Sequence, residues 1–300
     1  MHHNIKNQLG LLLFFSLIIL AGCSNKMEED MKQYMSDMEE IHKLNDEFTS
    51  QASALDYEYL PEELSSRNAD VDTERLEAIS EKLEQDILPL ADQMAEKIKG
   101  IEVNNEELVE PHDSFKESIE LKQDFAQQLD DYVQTYLMSV RSNEELIGLS
   151  QSFMENQGER DKVIESATSD METDEIDRLI DQINKNSESL ESESKLLQGD
   201  ESIDEKQKHI DNVMAPLIDE HIQSLNQMNL ETESAIRVRS LSLEMYYEFE
   251  KYYQERKNAM TYNEKLQGLQ LQNIIPMKET YEKLDEKYFD RINEIESELE

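Results

Sequence analysis

From Met27 to Leu55 the chain repeats one face at alternating steps of four and three residues: Met27, Met31, Tyr34, Met38, Ile41, Asn45, Phe48, Ala52 and Leu55. A heptad seam of this length requires an α-helix, because a half-buried strand would repeat every second residue. Asn45 stands at a core position of the seam, where a polar side chain fixes register at some cost in stability. The seam is expected to pack against later helices of the same chain, the other use being dimerisation.

The rest of the chain extends this constraint. Seven glycines and five prolines in 300 residues leave few turns, and the bulk is Glu, Lys, Gln, Leu and Met, all good helix formers. Alternating strand patterns are absent. The expected fold is all-α, an elongated bundle of long, proline-kinked helices with coiled-coil-like packing.

After the seam, Pro61 and Ser65-Ser66-Arg67-Asn68 predict a loop over 56–72. A second helix is expected from Thr73 to about Lys99, ending at Gly100. Asn104, Asn105 and Pro111 predict a connection over 102–113, with Ser114 capping a third helix. That helix carries Phe115, Ile119, Leu121, Phe125, Leu129, Tyr132, Val133, Tyr136, Leu137 and Val140 on a broad apolar face. Ser142 and Glu145 have capping-box spacing and predict a break. The polar stretch from Asn184 to Glu205 reads as a helical hairpin tip or a linker.

Three sites share a local pattern: Ile87-Leu88-Pro89-Leu90, Val213-Met214-Ala215-Pro216-Leu217 and Ile274-Ile275-Pro276-Met277. Proline inside a helix loses a hydrogen bond and clashes with the preceding turn, so each predicts a kink or a fresh helix start. Their unequal spacing defines no regular repeat.

The amino terminus supplies an address. Lys6 precedes an apolar run from Leu9 to Leu20, which ends in Leu20-Ala21-Gly22-Cys23. The run is too short to span a bilayer and has the order of an export signal. Its last four residues resemble the bacterial lipobox, which implies cleavage before Cys23 and a diacylglyceryl group on that thiol. Two acyl chains hold a protein stably on a membrane where one is marginal. Residues 1–22 are then a signal peptide and 23–300 an extracytoplasmic helical region. Cys23 is the only cysteine, so no disulfide is expected.

Acidic residues number 69 against 29 basic ones, a net charge of −40. The leader holds one lysine and no acid, so its removal makes the mature chain more negative still. Such a charge argues against nucleic acid and bare anionic lipid surfaces as direct partners.

Against this acidic background, Ile236 to Met260 holds five basic and four acidic residues around a dense aromatic run. On a helix Tyr246, Phe249 and Tyr253 share one face, with Met245 and Tyr252 beside it. Tyr246, Tyr247, Phe249, Tyr252, Tyr253, Arg237 and Arg239 are therefore the candidate binding residues, weighed against the simpler use of such an arc as a buried central helix. Tyrosines there keep a polar tip that a ligand could use.

At Glu244-Met245-Tyr246-Tyr247 the chain resembles the EMYY-motif lipoproteins, and its lipobox and helical composition agree with that likeness. More distantly it is similar to the YkyA-type cell-wall-binding lipoproteins. The resemblance implies a helical extracytoplasmic region and a Gram-positive host with the anchor in its single membrane. Neither family supplies catalytic residues.

Motifs for chemistry are sparse. Glu39 and His42 form one Glu-x-x-His without the second that a two-metal bundle site needs, and both flank the seam and should point outward. His112, His209 and His221 lack zinc-ligand spacing, and no Gly-x-Ser-x-Gly occurs. No catalytic residue, metal or cofactor is expected. The reading is a membrane-anchored protein that binds or scaffolds an envelope protein or wall component. The alternative is an envelope enzyme, such as a wall hydrolase, with carboxylates assembled only by folding.

Overall fold

All nine seam residues from Met27 to Leu55 are buried, Asn45 among them. The computed structural model describes residues 5–65 and 72–299, with side chains described from Lys26 onward except at positions 62, 63 and 65. Residues 1–22 and Cys23 therefore lie outside the described side chains, and Arg67 and Asn68 outside the described residues. Helices account for nearly all of the described chain, and no strand occurs among the described residues.

Contacts divide the chain into two compact units, one comprising 1–134 and 269–300, the other 135–268. The first unit contains α1 (Ile5–Ser53), α2 (Leu60–Ser65), α3 (Thr73–Lys82) and α4 (Leu88–Ile98). It also takes the first half of α5 (Glu106–Ser166). The seam of α1 is covered within the chain, by α4 and by the carboxy-terminal helix of this unit.

The second unit takes the remainder of α5, then α6 (Asp170–Ser194), α7 (Ile203–His209), α8 (Ala215–Asn226) and α9 (Glu233–Gly268). Finally α10 (Leu271–Ile274) and α11 (Met277–Leu299) return the chain to the first unit. Capping boxes start α6 and α7: Ser169 with Glu172, and Ser202 with Glu205. Each supplies two reciprocal bonds to backbone donors that a helix start leaves unmatched.

Several sequence expectations are corrected. The predicted loop over 56–72 contains the short helix α2, with Pro61 at its second position, where a missing N–H costs nothing. Helix α5 begins at Glu106, eight residues before the expected cap. Asn105 accepts the Glu107 N–H at 3.0 Å, and Ser114 is buried inside the helix. Pro111 sits early enough in α5 to be carried without ending it. The expected break at Ser142 is absent, because its hydroxyl turns inward to the Glu255 carbonyl while the apolar face continues. The polar stretch 184–205 is helical to Ser194, then a tight 3₁₀ turn over Lys195–Gln198 leads into α7, which is the hairpin rather than a linker.

The prolines act by widening the helix. A π-helical segment, Leu83–Ile87, joins α3 to α4, and Pro89 follows it by two residues. Ile210–Met214 joins α7 to α8 in the same way before Pro216. The Leu88 N–H reaches five residues back to Leu83, and Ala215 does the same to Ile210. Looser winding relieves the clash that a proline ring makes with the preceding turn, and the extra residue rotates the following apolar face by about 100°. At the third site, α11 starts afresh at Met277, directly after Pro276.

Candidate functional site

The basic and aromatic stretch of the sequence lies on α9, in the second unit. Its amino end is held by a buried acid: Glu175 of α6 accepts the N–H groups of Glu231 and Thr232 at 2.8 and 2.9 Å and the Thr232 hydroxyl at 2.6 Å. These bonds hold its carboxyl below the usual carboxylate range. They also place a negative charge at a helix start, where the macrodipole favours it.

Along α9 the Glu-Met-Tyr-Tyr run divides by helical phase. Met245 and Tyr246 are buried, whereas Glu244 is exposed and Tyr247 is 47% exposed. Tyr246 meets His221 edge-on at 5.8 Å, and burial raises its phenol pKa. The candidate residues thus separate. Tyr246 is core, and Tyr247 faces outward, away from the arc with which it is grouped as a candidate. Phe249 and Tyr252 are half-buried and Tyr253 is 8% exposed. Rings of Phe249 and Tyr253 stack at 6.4 Å, and Tyr252 meets Tyr253 edge-on at 5.6 Å.

The two early arginines are not brought to this cluster. Arg237 pairs with Glu159 at 3.1 Å on an exposed surface. Arg239 donates to the Met228 carbonyl at 2.9 Å and so ties down the α8–α9 connection.

Phe249, Tyr252 and Tyr253 line an open cavity of about 370 Å³ within the second unit. Its opposite wall comes from α5, with Phe153 4.7 Å from Phe249 between ring centres. Ser194 and Gln198, from the hairpin, close one side. Two charged residues complete the lining, Glu248 and Arg256. One Glu248 oxygen accepts from Ser152 and from Asn156, the latter at 2.9 Å. The other oxygen is buried with no partner. Arg256 donates to the Leu197 carbonyl at 3.0 Å. Glu248, Tyr252 and Arg256 form one i, i+4, i+8 row, which puts an acid at one end of the cavity, a base at the other and rings between.

Phe153, Glu248 and Arg256 were not among the sequence candidates. The row of Glu248, Tyr252 and Arg256 was visible as a spacing, but in so acidic a chain an i, i+4 carboxylate carries little signal. Phe153 lies nearly a hundred residues from Phe249, so nothing local joins them.

A second buried polar cluster occupies the first unit. Lys122 Nζ donates to Asn45 at 2.7 Å, Ser118 at 2.9 Å and the Asp285 carboxylate at 2.6 Å. It also lies over the rings of Phe115 and Tyr281, at 5.7 and 5.2 Å. Burial lowers the pKa of Lys122, opposed by Asp285. Such a sealed, fully bonded charge is a packing feature, and it supplies the partner of Asn45.

His42 corrects a further expectation. It turns inward, bonds the Tyr288 hydroxyl at 2.8 Å and packs beside Phe115 and Phe289, and burial lowers its pKa. Glu39 points out and pairs with Lys43 at 2.7 Å. Among the described residues no three His, Cys, Asp or Glu side chains converge as a metal-binding group would. Among the described residues, too, no helix is long and apolar enough to cross a membrane.

A family model described as EMYY-motif containing lipoprotein matches residues 5–296 of the chain. No curated protein and no solved structure matches it.

Proposed function

The chain belongs to the family of EMYY-motif containing lipoproteins, and from that premise we propose that it is anchored by lipid on Cys23 at the outer face of the cell membrane, where its helical region binds an envelope component without turning it over. The lipobox supports the anchor. The observation that carries the binding role is the aromatic cavity of the second unit, open to solvent and flanked by Glu248 and Arg256. Partly buried rings beside a few polar groups are the usual make-up of a ligand site.

The enzymatic alternative asks for a carboxyl of raised pKa in a concave site. Burial does raise Asp130, but that group is held by Ser80 and Gln134 and does not line the cavity. Glu248 accepts from the neutral groups of Ser152 and Asn156, and no histidine that could activate the Ser152 hydroxyl is among the residues lining the cavity. These contacts favour binding.

Two experiments test the proposal. Metabolic labelling with a fatty-acid analogue is expected to mark the wild-type chain and not Cys23→Ser; equal labelling of both removes the anchor. Incubating the full chain with purified wall and membrane fractions is expected to give retention without release of soluble fragments. Release that tracks the protein and vanishes on neutralising one carboxylate establishes an enzyme instead.

A further inference from the structure

We infer that the cavity on α9 takes a short extended peptide of about three residues, with its free amino terminus at Glu248, its free carboxylate at Arg256 and an apolar side chain between. The inference rests on the reading of this cavity as a ligand site.

Charge at the Glu248 end comes first. The carboxylate is bonded on one oxygen by a serine hydroxyl and an asparagine amide, and its other oxygen is buried and unmatched. An ionised group so placed lacks the cation that would offset its desolvation. The side-chain torsions of a glutamate are soft, so a cation at the cavity edge can draw the carboxylate outward, both oxygens moving together, and offset any loosening of the Ser152 and Asn156 contacts. Phe153 and Phe249 stand next to it, and ring faces attract an ammonium. An ammonium is the complement on both counts.

The Arg256 end has the opposite requirement. A guanidinium carries five donors, one of which goes to the Leu197 carbonyl. Its planar fork suits a carboxylate, which it can bind through two parallel bonds. A chain at −40 repels a simple anion. A zwitterion escapes that repulsion, with its ammonium leading.

Length then selects among zwitterions. Eight residues separate Glu248 from Arg256, about 12 Å along a helix axis. A single amino acid, whose two charges sit on one carbon, cannot reach both ends. Three extended residues span about 10 Å, and the two side chains cover the remainder. Between the ends lie Phe249, Tyr252 and Tyr253, which favour an apolar central side chain.

The test is calorimetric titration of the full chain in detergent with the peptide Ala-Leu-Ala and with its N-acetylated and C-amidated forms. Saturable binding of the free peptide is expected. Acetylation should weaken binding to the wild type about tenfold and leave the affinity of Glu248→Gln unchanged. Amidation should do the same to the wild type and leave Arg256→Gln unchanged. No saturable binding at millimolar peptide, or an acetylation penalty that persists in Glu248→Gln, overturns the assignment. The capped peptides also give a reading on the wild type alone, where equal affinity for the free and the acetylated peptide overturns the assignment whether or not a variant folds. Retention of envelope fractions is measured in parallel. If retention persists while no tripeptide binds, this assignment falls and the binding role stands; if neither occurs, both fall.

Discussion

The two units solve one packing problem with different interiors. Each contains a helix widened by a π-helical segment two residues before a proline, and the buried positions on it correspond. Leu83, Ile87, Ala91, Met94, Ala95 and Ile98 are buried in the first unit. Ile210, Met214, Ile218, His221, Ile222 and Leu225 are buried at the same offsets in the second. The buried polar groups of the two units differ. The first unit seals an ion pair, Lys122 with Asp285, among Phe115 and Tyr281. The second uses neutral polar contacts, Ser189 with His221 at 3.0 Å and Asn186 with Ser224 at 3.3 Å, and leaves aromatic rings around an open cavity. A sealed charge specifies one arrangement of helices because every alternative strands it. An open aromatic cavity forgoes some packing and keeps rings available to a ligand.

The largest expected effect attacks the sealed pair. Asp285→Ala leaves Lys122 buried without its counter-charge and should cost about 3–5 kcal/mol. The double change Lys122→Met with Asp285→Leu should cost much less, since it removes both charges. Denaturant unfolding of single and double variants measures this, with hydrogen exchange showing a greater loss of protection in α1 and α11 than in α6 and α8. Equal stability of the single and double variants would mean that the pair does not distinguish the units.

Next comes the division within the Glu-Met-Tyr-Tyr run. Tyr246→Ala removes a buried ring from the second core and should cost about 3 kcal/mol. Tyr247→Ala changes an exposed ring and should stay within about 0.5 kcal/mol. Thermal melts decide it, and a large loss from Tyr247→Ala would return that residue to the core.

The smallest effect is with pH. Burial lowers the pKa of His42 and His112 in the first unit and of His221 in the second. A histidine held neutral in the fold gains its proton more readily when unfolded, so its contribution is complete above about pH 6.5 and is lost as pH falls through the lowered folded value. Melting temperature should therefore fall by a few degrees between pH 7 and pH 5, before the carboxylates titrate. Hydrogen exchange should show the earlier loss in the first unit, which holds two of the three. Earlier loss in the second would reverse the ranking.

Much of the fold was legible because helical periodicity is local. The heptad steps identified nine buried residues, eight on α1 and Leu55 just past its end, and Asn45 stood out among them as a polar core position. On α9 the shared face of Tyr246, Phe249 and Tyr253 was also legible. Tyr247, grouped with that arc as a candidate, faces outward, since adjacent helical residues point about 100° apart and a four-residue motif cannot all face inward. The early start of α5 was missed because Ser114 and Pro111 are boundary signals only when tertiary packing leaves the segment exposed. His42 was read as outward from its place beside the seam, but α11 covers more of α1 than the seam alone.

What the sequence by itself determined is the all-helical class, the buried seam of α1, the shared face of Tyr246, Phe249 and Tyr253 on α9, and the family that the Glu-Met-Tyr-Tyr run points to. Only the tertiary structure decided that Asn45 meets Lys122 and Asp285, and that Phe153 stands against Phe249 beside Glu248 and Arg256. The physical reason is range. A helix writes its buried face into residues three and four apart, whereas partners many turns away are chosen by chain topology and by the cost of leaving a charge or a ring unmatched.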